Sequence, residues 1–491
     1  MFCTQLFSSL TRLAVLVGVT LILIHIIALQ PAYAQSQIFV PLIIKGHSNN
    51  APPPTKIEGS FFVDTQLKTS SASIQVDAQG GMHLGYYYYE PANDGKPTYG
   101  VYWYCASNCE NKSKWSGVGL GQLVNEIQLK LNANGQPRII FRGPSQVRST
   151  GNDYYYAECN QDCTNPARWQ FIYLTTSSGL GLVDLEKDDK LPQRYFALDP
   201  NGRPRFVYGD GVTGHLGTYY AYCNSTCLNP NNWFETRINK ISTQGPYRDE
   251  NFYYPALTFS PQGQPRIVAD GVSLQDEFFL YYLACDGACE NENSWYSVPL
   301  ADRGGGSEIS YDIALDAAGK PRLVFYEGSL AGGGGDQLFY AWCNGTCSNG
   351  NSWQGVPLAI NQNNGRGPDL ELDANGRPRI AYALYDFGGL GYSWCNSNCE
   401  SANGVWQHKV VESRADLLAE WPVAYPPHCD GGLWDGVAPT LALDKGGNPR
   451  IAYDTTYNAR CTYIPETGEW EPTQVFHLIW RSVRVNFFPQ P

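Results

Sequence analysis

The chain has 491 residues, 46 acidic against 34 basic side chains, and a formal net charge of −12. That balance disfavours a nucleic-acid partner, because binding to phosphates draws on clustered lysine and arginine. An aromatic content of 13%, with 50 Gly and 32 Pro, is what wide sheet faces and many tight turns require.

Residues 1–34 read as a signal peptide. Arg12 gives a basic start, 13–29 is an apolar run, and Ala32-Tyr33-Ala34 is an A-x-A cleavage site. An uncleaved anchor is the competing reading, at the short limit of what spans a bilayer. Cleavage after Ala34 leaves no membrane span, makes the mature chain one unit more acidic, and places it outside the cell, secreted or attached to the surface. Residues 35–56 form a spacer, an apolar octet at 38–45 followed by a Pro-rich tether at 51–55.

From residue 57 to 491 one phrase recurs seven times. A short apolar run ends at Asp77, Asn132, Asp199, Ser260, Asp316, Asp373 or Asp444; a turn closed by Gly follows, then Pro-Arg and alternating apolar residues, a Tyr-rich run with Cys, and a Trp. Copies of this length, one supersecondary unit each, indicate a propeller or solenoid. The fifth copy shows the unit plainly. Strands are expected at 311–315, 322–326, 338–343 and 353–358, the first two joined by Asp316-Ala317-Ala318-Gly319, a turn that uses Asp for side-chain hydrogen bonds and Gly for its freedom in φ. Four antiparallel strands in each of seven copies, with no sustained helical period, predict an all-β, seven-bladed β-propeller. Either 61–67 or 479–487 could add an outer strand where the ring closes.

Cysteine spacing supports export. Cys3 leaves with the signal peptide, and the remaining 14 include six C-x-x-x-C pairs: Cys105 with Cys109, Cys159 with Cys163, Cys223 with Cys227, Cys285 with Cys289, Cys343 with Cys347, and Cys395 with Cys399. A single helical turn sets such residues about 6 Å apart, within disulfide range. Each staple removes denatured-state entropy worth about 2 kcal/mol in the chain model. Zinc is the rival, but each blade offers two thiols where a closed site needs four ligands. Cys429 and Cys461 pair by elimination.

The repeated devices share one end of the propeller. The irregular connections lie at the other, where variation can build a site. A recurrent arginine (Arg138, Arg205, Arg266, Arg322, Arg379, Arg450, with His83 in the first copy) therefore reads as a fold device pairing carboxylates or carbonyls between blades, and the recurrent Trp115, Trp169, Trp233, Trp295, Trp353, Trp406 and Trp470 as core. The variable end is acidic: Asp210, Asp270, Glu327, Asp386 and Asp454 follow second strands, and Asp312 and Asp369 sit at the starts of first strands near the channel. No cofactor is required. Such carboxylates could hold Ca²⁺, or be simply solvated.

One connection breaks the rhythm. Between Trp406 and Asp444 it carries Trp421, Tyr425, His428, Cys429, Asp430, Trp434 and Asp435, rings beside carboxylates of the kind that stack on sugars; a lid or a packing element is the alternative.

The copies ALDAAGKPRLVFYEG and ELDANGRPRIAYALYD resemble secreted bacterial propellers of the sialidase-like group. The resemblance covers nearly the whole mature chain and implies a fold. No S-x-D-x-G-x-x-W box occurs, and the recurrent arginine is not placed for a sialidase triad, so no catalytic residue carries over. Two functions are expected from different classes. One is a monomeric recognition module for glycan or a surface protein, with Asp312, Asp369, Trp421, Trp434, Arg194 and Arg248 as binding candidates. The other is a carbohydrate-active enzyme, a glycosidase or polysaccharide lyase, using the same acids and cations.

Overall fold

The structure is a computed structural model that describes residues 60–63, 68–89, 99–124, 126–146, 152–174, 194–210, 217–239, 251–273, 277–302, 308–328, 337–360, 364–384, 389–401, 403–420, 433–464 and 469–490. The chain divides into two units, 1–46 and 47–491, and every described residue belongs to the second. The expected signal peptide and most of the spacer, including the octet 38–45 and the tether 51–55, lie outside the described residues.

Residues of the second unit form seven four-stranded antiparallel sheets, a seven-bladed β-propeller. Blade five runs outward through Glu308–Leu315, Pro321–Gly328, Gln337–Cys343 and Trp353–Pro357. Its first turn is built by one carboxylate. Asp316 Oδ1 accepts the N–H groups of Ala318 and Lys320 at 2.9 and 2.8 Å, and Gly319, at φ +76°, donates its N–H to the Asp316 carbonyl at 2.8 Å. Oδ2 remains, and Arg322 Nη2 donates to it at 2.9 Å.

The Asp-turn and the recurrent arginine are thus one device. In blade six, fully buried Arg379 donates to Asp373 Oδ2 at 2.7 Å, the Cys395 carbonyl at 2.9 Å and Asn396 Oδ1 at 3.0 Å. These bonds lie mostly within one blade rather than between blades, as the sequence suggested; Arg322 also reaches Glu400 of blade six, at 2.7 Å. In blade one His83 takes the arginine's place, 3.2 Å from Asp77 and 2.6 Å from the Tyr102 hydroxyl. Burial lowers its pKa against the pull of Asp77.

All six short cysteine pairs are disulfides, with Cα atoms 5.7 or 5.8 Å apart. Two residues past the second cysteine, Asn111, Asn165, Asn229, Asn291 and Asn349 each cap a 3₁₀ turn with the side-chain oxygen. The blade tryptophan follows, its Nε1 donating to the carbonyl of that same cysteine, as Trp169 does to Cys163 at 2.8 Å and Trp295 to Cys289 at 2.9 Å. The indole then packs on a tyrosine of the preceding blade: Tyr102 with Trp169 at 5.0 Å, Tyr220 with Trp295 at 5.1 Å, Tyr282 with Trp353 at 4.9 Å. Each such pair adds roughly 0.5–1.5 kcal/mol beyond its buried area.

Ring closure uses the start of the domain. Phe61–Phe62 is the outermost strand of blade seven, paired with the third strand, Glu469–Phe487. Phe61 stacks on Phe487 at 5.9 Å and meets Trp115 of blade one edge-on at 6.3 Å, so it joins the two blades at the seam. Trp470, expected in that role, instead begins the third strand opposite Tyr463. Behind the seam, buried Arg484 donates to Glu412 and Glu420, each at 2.6 Å, and to Ser60 at 2.8 Å.

Candidate functional site

The innermost strands set the channel. Four residues before each turn residue stand Ser73, Gln128, Tyr195, Ala256, Asp312, Asp369 and Thr440. At five of these positions a side-chain oxygen accepts a backbone N–H from the next blade's inner strand: Ser73 from Leu129 at 3.0 Å, Gln128 from Phe196 at 3.1 Å, Asp312 from Leu370 at 2.8 Å, Asp369 from Leu441 at 2.9 Å and Thr440 from Ile74 at 3.3 Å. Between blades three and four the backbone does the same job, Leu257 N–H donating to the Arg194 carbonyl at 2.9 Å. Asp312 and Asp369 therefore belong to a ring of polar clasps.

Arg194 crosses to them from blade three. Its Nη1 donates to the Tyr311 carbonyl at 3.3 Å and Nη2 to the Pro439 carbonyl at 3.1 Å. The same guanidinium lies 3.7 Å from Asp312 and 3.3 Å from Asp369. One side chain thereby ties blade three to blades five, six and seven. Both carboxyls are buried, at 6% and 7% exposure. Burial, only partly offset by Arg194 and reinforced by Asp369, pushes Asp312 up to about 7. Glu371, two residues below Asp369, is pushed up to about 8 by burial and by Asp369, against the pull of Lys130. A cavity of about 270 Å³ lies along the inner strands of blades two, three and four, lined by Lys130, Leu131, Ala197, Leu198, Leu257 and Phe259 among others.

Of the six binding candidates, the structure brings three together, Asp312, Asp369 and Arg194. Arg248 and Trp421 lie outside the described residues, with Tyr425, His428, Cys429 and Asp430. Trp434 stands in the inner strand of blade seven, Leu433–Leu443, opposite Tyr457 in register. Cys461 is buried and disulfide-bonded; its expected partner, Cys429, is among the undescribed residues.

Two of the second-strand acids are not solvated loop groups. Asp454 is buried and accepts from Ser70 Oγ at 2.6 Å and the Ser71 N–H at 3.0 Å, and Asp270 is also buried. Among the described residues no group of three or more His, Cys, Asp and Glu is arranged to hold a metal ion, and no helix is long and apolar enough to cross a membrane. Sequence reasoning missed the clasp role of Ser73, Gln128 and Thr440.

No family model and no curated protein matches the sequence. Solved structures do resemble it. A polysaccharide lyase superposes with a TM-score of 0.50 at 9% identity, over 89% of this chain and 100% of that one. An ulvan lyase gives 0.49 at 12%, over 79% and 92%, and the NanB sialidase of Streptococcus pneumoniae 0.41 at 11%, over 87% and 69%. At such identities the likeness is one of fold.

Proposed function

We propose that the chain is a secreted or cell-surface recognition module that binds glycan through the variable end of the propeller. One observation carries this reading: the acids and the arginine best placed for chemistry at the channel are engaged by the ring itself. Asp312 and Asp369 each hold the next blade's backbone and share Arg194. What remains for a partner is the set of irregular connections, among them the one carrying Trp421. The six disulfides fit an oxidising, extracellular setting.

Structural neighbours named as a polysaccharide lyase, an ulvan lyase and a sialidase support saccharide as the partner class, and they are the ground for the second reading, a carbohydrate-active enzyme. A surface protein is the other partner this end could take. One experiment separates these: the mature chain applied to a glycan array, beside lyase and hydrolase screens on acidic polysaccharides, with and without a calcium chelator. Binding without bond cleavage is expected. Release of unsaturated uronates or new reducing ends would make it an enzyme, and loss of binding on chelation would add Ca²⁺ to the site.

A further inference from the structure

Four of the seven inner strands carry a bulge at one height, just above the clasps. The register shifts between Ser70 and Ser73 in blade one, Tyr253 and Ala256 in blade four, Arg366 and Asp369 in blade six, and Val437 and Thr440 in blade seven. Bulges re-aim side chains and gather at barrel rims and working sites. At the same position in three of these strands the backbone is left-handed: Ser71 at φ +60°, Tyr254 at φ +50° and Gly367 at φ +56°.

The three residues meet this demand differently. Gly367 adopts the conformation without a Cβ penalty, and its N–H donates to Ser310 Oγ at 2.9 Å. Ser71 is small, and its N–H and hydroxyl are both bonded, to Asp454 and the Ile127 N–H at 3.0 and 3.3 Å. Tyr254 is bulky and precedes Pro255, which by itself drives its neighbour towards extended backbone. A left-handed tyrosine before proline is strained on both counts. Blade six shows that the Gly-Pro pair serves at this position, since Gly367 precedes Pro368 in the equivalent place. Blade four makes the same bend with an aromatic ring attached.

The backbone that carries that ring is held firmly. Tyr311 donates its hydroxyl to the Tyr253 carbonyl at 3.0 Å and accepts the Asp270 N–H, clamping the bulge, while the Tyr311 carbonyl takes Arg194 at 3.3 Å. The Tyr254 side chain is half-buried, packed against the core between blades four and five and accessible over the rest. A partly exposed ring on a clamped inner strand suits the apolar C–H face of a pyranose.

We propose that Tyr254 is a saccharide-stacking residue at the upper mouth of the channel, presented there by the strained bulge of blade four; this rests on the glycan-recognition reading above. The test uses the mature chain, a glycan array of defined neutral and uronate oligosaccharides, and the variants Tyr254→Gly and Tyr254→Asn, both compatible with left-handed backbone. The wild type binds, and Tyr254→Gly melts at a higher temperature yet binds the best array saccharide about tenfold or more weakly. Tyr254→Asn loses affinity likewise, with melting at or above that of the parent. Unchanged affinity in both variants overturns the stacking role and leaves the recognition reading standing. Lower melting in both shows a ring kept for packing and also overturns it. A wild type that binds no saccharide overturns both inferences.

Discussion

Two arginines share the Asp373 carboxylate, and they differ in burial. Arg379 has a side chain 1% exposed, and Arg377 one 37% exposed, yet each reaches Asp373 Oδ2 at 2.7 Å. Arg379 additionally donates to the Pro378 and Cys395 carbonyls and to Asn396, so Arg379→Ala strands several buried acceptors at once. Removing one partner of a buried pair costs about 3–5 kcal/mol, whereas an exposed pair contributes about 0–1 kcal/mol. With an unfolding entropy of roughly 2.1 cal/mol/K per residue, a domain of this size loses about 0.9 kcal/mol per degree at its midpoint. Arg379→Ala should therefore lower Tm by about 3–5 °C, and Arg377→Ala by about 1 °C or less. Scanning calorimetry on the oxidised mature chain reads both. Equal shifts would show that proximity to the carboxylate, rather than the buried bonding of the recurrent arginine, sets its contribution.

Asp312 and Glu371 bind their protons more tightly folded than unfolded, with pKa values of about 7 and 8 against unfolded values near 4, so both make stability fall as pH rises from about 4 to 8. Glu371→Gln should flatten that fall in a series of melts, and an unaltered slope would remove Glu371 from the account. Intact mass under denaturing, non-reducing conditions should show no free thiol in the mature chain; labelling of two or more cysteines would refute the pairing. Once a saccharide is in hand, Trp421→Ala and Trp434→Ala should each weaken binding by about 1–3 kcal/mol in titration calorimetry, and unchanged affinity in both would move the site away from the blade-seven insertion.

The repeat was legible because its parts are chemically unique. Only Gly fits the closed turn at Gly319 without strain, only Cys forms the staples, and Asp316 does two jobs with two oxygens, so these residues recur as themselves in most blades, with Asn132 and Ser260 the departures at the Asp position. The clasps were not legible for the opposite reason. Any side-chain oxygen of the right reach can accept the next blade's N–H, and Ser73, Gln128, Asp312, Asp369 and Thr440 all do, so a shared structural role looks in sequence like individuality. Asp312 and Asp369 stood out as functional candidates on that misleading contrast. Arg194 was noticed as a cation, but its contacts with blades five, six and seven join residues far apart in the chain, which spacing along the sequence does not reveal. Trp470 was misplaced because counting copies forward cannot reveal that Phe61–Phe62 supplies the last strand. One repeated cue, Asn two residues after the second cysteine, was present at Asn111, Asn165, Asn229, Asn291 and Asn349 and went unread.

The seam between Phe61–Phe62 and the last strand joins residues far apart in the chain: Arg484 and Ser60 are 424 residues apart, and Thr69 Oγ1 accepts the N–H of Val483, 414 residues away. During vectorial synthesis the first strand emerges long before its partner exists. Six blades can each assemble from neighbouring sequence, stapled as they appear, whereas closure must wait for the final residues and then overcome the largest loop-closure entropy in the molecule. Until that moment the chain is an open arc with one unpaired strand edge at each end. A ribosome stall or a truncation within the last dozen residues would thus release a species that is largely folded, fully cross-linked and adhesive at its two ends, prone to close on another copy rather than on itself.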